Sequence, residues 1–373
     1  MSNELKVGIN GRPLCHSSMR GLARHTYELI NALHVENPNL EIHLFTYGKI
    51  DKRYKEDLTY VHFHESHPRI KILWDLFFLP RALKQHGIKL FHSTNNLGVP
   101  WDRSIRKLVT IHDDLTHRDR MKGPWWSRFN YCIEFFLLKE SDQFITVSQS
   151  AKNDLVRTMN LPIEKISVIY NGVKRQAICP REQKNFYLYV GGLEERKNIP
   201  FMLDALEAVS SSLTNPIELH LVASLESATD ETQKRLKDSP LLIKIHQNIS
   251  DSDLTELYGQ AKALINPSNY EGFGLPLIEA MQMKVPLIIS KLDVFQEITE
   301  KKAFFFSPNQ AQELKKIIED FEGHQLSHDQ FAHDNFERSN LFTWQMMAKL
   351  TMNIYQHLGL GKNYSYDTKK HGN

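Results

Sequence analysis

Through the first half of the chain, short apolar runs alternate with longer amphipathic stretches. Segments 5–10, 41–46, 88–92, 107–112 and 143–147 have the β-branched and aromatic content of buried strands. Segments 21–33, 75–85, 125–140 and 148–159 repeat their apolar positions at helical spacing. Short strands joined by helical crossovers predict a parallel sheet covered on both faces. After 166–170 the texture breaks: residues 174–185, KRQAICPREQKN, are polar, contain a proline and have no period, so a linker is expected over 175–185. The same grammar restarts with strands at 186–190, 217–223, 242–246, 263–266 and 286–290, and helices near 200–211, 251–260 and from 276. A last amphipathic stretch, 343–358, precedes a polar tail over 359–373. Two Rossmann-like, doubly wound α/β domains follow, over 1–174 and 186–341, with residues 342–358 as a terminal helix. Such sheets bind ligands at the carboxyl ends of their strands, and two facing domains would place a ligand in the cleft between them.

Length and composition support two cores. The 373 residues exceed one α/β unit, and 41% hydrophobic with 24% charged residues is the make-up of a folded globular chain. No apolar run reaches the roughly 18 to 20 residues of a membrane-spanning helix, and the start MSNELKVGIN is too polar for a secretory signal, so a cytoplasmic protein is expected. Cys15, Cys132 and Cys179 are far apart and odd in number, against a disulfide framework or zinc knuckle. The net charge of +2 hides an asymmetry: residues 1–180 hold 26 Lys+Arg against 18 Asp+Glu, a balance of +8, which leaves −6 for the remainder. A basic half can face an anionic acceptor or membrane, although unpatterned solvated charge is the commoner cause.

The most informative segment is 265–290, INPSNYEGFGLPLIEAMQMKVPLIIS, which reads as strand, glycine-bearing loop, helix and strand. Pro276 suits a first helical turn, where its missing N–H has no partner in any case. Glu271 then lies in the loop and Glu279 about one turn inside the helix, and both can line one cleft. Gly272, Phe273, Gly274 and Leu275 let the backbone approach a ligand and point helix-start N–H groups outward, which suits hydroxyls or an anion.

These residues resemble the E-G-F-G-L-P-x-x-E signature of family 4 retaining glycosyltransferases with the GT-B fold. The resemblance continues through Val147-Ser148, Ser150 and Asp154-Leu155; Ile169-Tyr170-Asn171-Gly172-Val173; Tyr189-Val190-Gly191-Gly192-Leu193 with Arg196-Lys197-Asn198; Asn266-Pro267-Ser268; and Phe342-x-Trp344 before a helix that in the family crosses back onto the first domain. It covers residues 5–358.

The resemblance implies a donor-sugar contact for Glu271, a ribose contact for Glu279, and backbone contacts at Gly272, Phe273, Gly274 and Leu275. Lys197, with Arg196 beside it, matches the cationic position that neutralises the departing nucleotide diphosphate. Where the family often has arginine after the first glycine, this chain has Gly192. In the first domain Ile9-Asn10-Gly11-Arg12 and Arg20-Gly21-Leu22-Ala23-Arg24 resemble the glycine-bearing loop and helix start near the donor phosphates, with Ala23 at a position where a second glycine is common. Thr110-Ile111-His112-Asp113 resembles the family's His-Asp element, and His112 is the residue chosen for contact with the donor sugar near the reacting carbon. No protein nucleophile is implied, since the leaving phosphate itself takes the acceptor's proton.

Competing signals are weaker. Asp251-Ser252-Asp253 matches a manganese-binding D-x-D, but Ser250 and Asp253 have capping-box spacing and read as a helix cap. His62, His64 and His67 alternate at a strand exit without cysteine or a carboxylate pattern and read as solvated rather than metal-binding. Two aromatic-basic stretches, 69–84 and 120–139, read as sheet-covering helices with most aromatics buried, Trp125 and Trp126 excepted; their other reading is peripheral contact with an anionic membrane. The expected activity is metal-independent, retaining hexosyl transfer from a nucleotide-diphosphate sugar, GDP-mannose or a UDP-hexose, to a saccharide or lipid-linked saccharide in surface glycan synthesis. No cofactor, metal or nucleic acid is expected. An inactive scaffold subunit, a nucleotide-sugar epimerase or a phosphorylase of the same fold are the other readings; retention of Glu271, Glu279, Arg196 and Lys197 together disfavours the scaffold.

Overall fold

A computed structural model of the chain describes residues 5–15, 21–67, 71–175, 184–214, 216–323 and 329–360, without the side chains of residues 71, 126 and 360. Arg20, Cys179, most of the expected linker, residues 69–70, the Trp126 side chain and the tail from 361 lie outside the described residues.

The chain divides into two compact units. The first is Met1–Gly172 together with the helix Trp344–Leu360, and the second is Val173–Thr343. In the first unit, strands β1 (Lys6–Asn10), β2 (Glu41–Tyr47), β3 (His62–Ser66), β4 (Leu90–Ser93), β5 (Arg106–Ile111), β6 (Gln143–Thr146) and β7 (Ile166–Val168) form one sheet in the order β3-β2-β1-β4-β5-β6-β7, every pairing parallel. Successive residues of β1 and β2 are buried, as a sheet covered on both faces requires. The terminal helix Trp344–Leu360 packs on the helix Leu22–Glu36 and adds Trp344, Met347, Ala348, Met352, Ile354 and Tyr355 to the first core. It thus returns the chain to the unit in which it began.

The second unit repeats the plan with β8 (Phe186–Val190), β9 (Glu218–Val222), β10 (Leu242–His246), β11 (Ala263–Asn266), β12 (Leu287–Ser290) and β13 (Phe304–Phe306), in the order β10-β9-β8-β11-β12-β13, again all parallel. In each sheet the strand order reverses beside the central strand: between β1 and β4 in the first, and between β8 and β11 in the second. A doubly wound sheet opens its crevice at that reversal, at the carboxyl ends of the strands.

Two expectations change. The helical segment expected over 75–85 begins at Lys71 and contains a π-helical stretch, Trp74–Phe78. The aromatics of the two aromatic-basic stretches are mostly not buried: Trp74 and Tyr131 are, but Phe77, Phe78, Phe129 and Phe136 are exposed along with Trp125, which is 79% accessible. Helical periodicity shows that a helix has an apolar face without showing that a sheet covers all of it. Among the described residues no helix is long and apolar enough to cross a membrane.

Candidate functional site

The chain leaves the reversal point of the second sheet twice, after β8 and after β11, and the two loops meet. After β8, a 3-10 turn Glu195–Lys197 is followed by Asn198 in left-handed conformation (φ 57°), which starts the helix Ile199–Ser210 with Pro200 in its first turn. After β11, Asn266 Oδ1 accepts the Ser268 N–H at 3.2 Å, and Asn269 N–H donates to Arg196 O at 2.8 Å, tying the loops together. At this junction Glu271 Oε1 accepts from Lys197 Nζ at 2.5 Å and from Ser268 Oγ at 2.8 Å, while Glu271 Oε2 accepts from Arg196 Nη1 at 3.2 Å. Lys197 and Glu271 have side chains only 11% and 12% exposed, so their attraction is weakly screened; Arg196 and Glu194, 4.0 Å apart, are open to solvent. Burial opposes ionisation of Glu271, yet the Lys197 and Arg196 charges and the hydrogen bonds from Lys197 and Ser268 outweigh it and hold the carboxyl below its ordinary value.

Past Glu271 the loop turns into the helix Leu275–Gln282 through Gly274, whose φ of 119° disfavours any side chain and where a Cβ would sit 3.0 Å from the Phe295 ring. Gly274 carries no side chain to cap the helix, so the first turn, with Pro276 in it, has no side-chain cap. Phe273 is buried edge-on against Phe342, which fixes the loop. Glu279, one turn into the helix, is buried, and its Oε2 accepts from Tyr258 Oη at 2.9 Å.

The reversal point of the first sheet is built differently. Gly11 N–H donates to Phe45 O at 2.8 Å, and a Cβ on Gly11 would meet Leu44 at 2.8 Å, so close strand packing demands the glycine. Arg12 is ion-paired with buried Asp75 and lies over the Tyr47 ring. Gly21, with φ 55°, is the residue before the helix Leu22–Glu36. His112 follows β5 directly; its Nε2 lies 3.2 Å from Thr94 O, which can only accept, so Nε2 carries the proton and Nδ1 is left as an acceptor. Burial lowers His112 to about 4, and the ring meets His25 edge-on at 4.4 Å. His25 in turn reaches Asn171 Oδ1 at 2.9 Å.

Family models match both units: Glycosyltransferase Family 4 over residues 19–176 and Glycosyl transferases group 1 over 173–337. The chain is a family 4 GT-B glycosyltransferase. The O-antigen chain mannosyltransferase RfbU of Salmonella typhimurium is 29% identical to it over 68% of this chain and 71% of its own length. The serotype-specific mannosyltransferase WbdA of Escherichia coli is 37% identical over 44% of this chain, a stretch that is 20% of that larger protein. A solved glycosyltransferase from Rickettsia africae shares the fold, with a TM-score of 0.74 at 17% identity over 97% of this chain and 100% of the other.

Of the residues singled out in this glycosyltransferase, Arg196, Lys197 and Glu271 share one hydrogen-bonded cluster, and Gly272, Phe273, Gly274 and Leu275 continue its loop into the Glu279 helix. Gly11, Gly21 and His112 belong to the other unit. Sequence reasoning assigned no role to Ser268, which the Asn-Pro-Ser motif contained, nor to Tyr258, whose partner Glu279 is 21 residues away with no spacing to signal it. The Ser250–Asp253 capping box is present in full, so Asp251-Ser252-Asp253 starts a helix.

Proposed function

We propose that the protein is a retaining hexosyltransferase that takes mannose from GDP-mannose, or a hexose from the corresponding UDP-sugar, onto a saccharide or lipid-linked saccharide of a surface glycan, without a metal. The observation that carries this is the Glu271 cluster: one largely buried carboxylate holding two cations at the reversal point of a parallel sheet, beside a helix start. A diphosphate docking there takes Lys197 and Arg196 as counter-ions and frees Glu271 to accept from a sugar hydroxyl. Glu279 offers its carboxylate to the ribose hydroxyls. The C1–O bond to the diphosphate breaks while a C1–O bond to the acceptor forms on the same face, and the acceptor's proton passes to the leaving phosphate. Fixed cations at the developing charge supply the largest share of the barrier reduction. His112, neutral and with Nδ1 open as an acceptor, is our residue for contact with the donor sugar. The names of the mannosyltransferase relatives support mannose as the first sugar to test.

Nucleotide release from GDP-, UDP-, ADP- and dTDP-sugars, run beside Glu271→Ala, tests the reading. Release from GDP-mannose or one UDP-hexose that disappears in the folded variant supports it. Absence of release and of thermal stabilisation with every donor would instead indicate a binding subunit.

A further inference from the structure

The edge of the first sheet gathers histidines that are dispersed in sequence. His43 on β2 lies opposite His62 on β3, and His64 is two residues further along that edge strand. His86 closes the helix Leu79–Gln85. One ring nitrogen from each of His43, His64 and His86 lies within 4.8 Å of the other two. His43 Nε2 is 2.7 Å from Glu41 Oε1, which can only accept; His43 Nε2–H therefore donates to the carboxylate and its Nδ1 lone pair accepts from His64 Nε2–H, 2.9 Å away, a proton that an ion would displace to His64 Nδ1. Glu41 is anchored by Lys6, whose Nζ is 2.7 Å from Oε2. A carboxylate that orients a histidine through its second nitrogen is the arrangement that supports metal-bound imidazoles. Ligand nitrogens at about 2.0–2.1 Å from a tetrahedral ion stand about 3.3 Å apart, a few tenths of an ångström more than His43 and His64 now show.

The second sheet contains a matched control. Glu218 Oε1 accepts from His220 Nε2 at 2.8 Å, and His220 Nδ1 is 3.1 Å from His246 Nε2 on the edge strand β10, again two residues past the position opposite His220. Lys244 anchors Glu218 as Lys6 anchors Glu41. Among the described residues no third ligand group completes this pair. The two edges therefore share a hydrogen-bonded histidine pair and differ in His86.

We propose that His43 Nδ1, His64 Nε2 and a ring nitrogen of His86 bind one divalent transition ion of the zinc class, completed by water, with Glu41 holding His43 in the ligating tautomer. Imidazole donors suit zinc, copper and nickel over magnesium or calcium. The ion clamps the edge strand β3 and the turn at His86 to β2, all within the first unit and two strands from its reversal point, so its role is in the stability of that unit rather than in transfer.

The test is titration of tag-free, metal-stripped full-length protein with zinc chloride, read by calorimetry and by metal content after dialysis. One zinc per chain is expected, with a raised melting temperature. His86→Gln, at an exposed position that tolerates the change, abolishes the binding, and Glu41→Gln weakens it about 10- to 100-fold while the chain stays folded. His246→Gln leaves it unchanged. No uptake by the wild type, or uptake that survives both His86→Gln and His64→Gln, overturns the proposal; in the latter case the ion is held by others of the chain's 18 histidines.

Discussion

The reversal points of the two sheets occupy the same place in the same strand order, yet their described charges are arranged differently. After β8 and β11, Lys197 and Arg196 converge on Glu271. After β1, the cation Arg12 is already committed to buried Asp75, and after β5 Arg118 is paired with buried Asp114; beside them Asn10 donates to Ser93 Oγ and Asn95 Oδ1, His92 bridges Thr110 and Tyr355, and burial holds His92 and His112 uncharged. A doubly wound sheet supplies the crevice but not its chemistry. Among the described residues, two cations converge on one carboxylate after β8 and β11, whereas Arg12 and Arg118 each have an acid of their own, and the proposal that the donor nucleotide binds the second unit rests on this asymmetry.

The largest effect that sharpens this comparison is Glu271→Ala, which lowers transfer about 10²- to 10³-fold in steady-state assays, because the acceptor for the donor sugar's hydroxyl and the carboxylate that positions Lys197 and Arg196 are lost together. An equal loss from Glu194→Ala, whose carboxylate is half exposed and 4.0 Å from Arg196, would show that the effect is general electrostatics and break the assignment. A smaller effect is expected in the first unit, where one neutral hydrogen bond is at stake: His112→Ala lowers kcat/KM about tenfold and His112→Asn recovers part of it, because a single bond is worth about 1 kcal/mol. Unchanged kinetics in His112→Ala would remove His112 from the donor contact.

The smallest effect concerns stability against pH. His112 and His92 have values lowered to about 4 and about 3 by burial, and His25 is lowered well below its ordinary 6.5. In the unfolded chain these imidazoles take up protons near 6.5, while in the folded chain they do so only far below it. For these histidines the unfolded state thus binds more protons between those values, and their contribution to stability drops as pH falls through that window, while Asp75, raised by burial from 3.8 to about 7, acts in the opposite direction. Hydrogen exchange at pH 7 and pH 5 should show β4, β5 and the helix Trp344–Leu360 losing protection before β8 and β11. Equal loss in both units would contradict the contrast.

Much of this was legible in the sequence. Buried parallel strands read as continuous apolar runs, so the central strands β1, β5, β8 and β11 stood out, and the Glu271–Glu279 spacing with Pro276 marked the loop-to-helix junction. Edge strand β3, HFHES, offers no apolar run because one side of it has no neighbour, and its histidines were read as solvated. The partners that gather around His64, namely His43 and His86, come from elements that only the sheet register brings together. For the same reason the exposure of Phe129 and Phe136 was hidden: a helix that carries apolar residues on several faces does not reveal which face its sheet covers.

The central claim is that Lys197 is released from Glu271 to a nucleotide diphosphate. Calorimetric titration of GDP and UDP into the wild type, Lys197→Ala and Glu271→Ala tests it most directly. Tight binding of one nucleotide to the wild type is expected, with at least about tenfold weaker binding to Lys197→Ala, the worth of one lost charge-assisted hydrogen bond, and nucleotide affinity retained in Glu271→Ala, which frees the same cation. Equal affinity in the wild type and Lys197→Ala would contradict it.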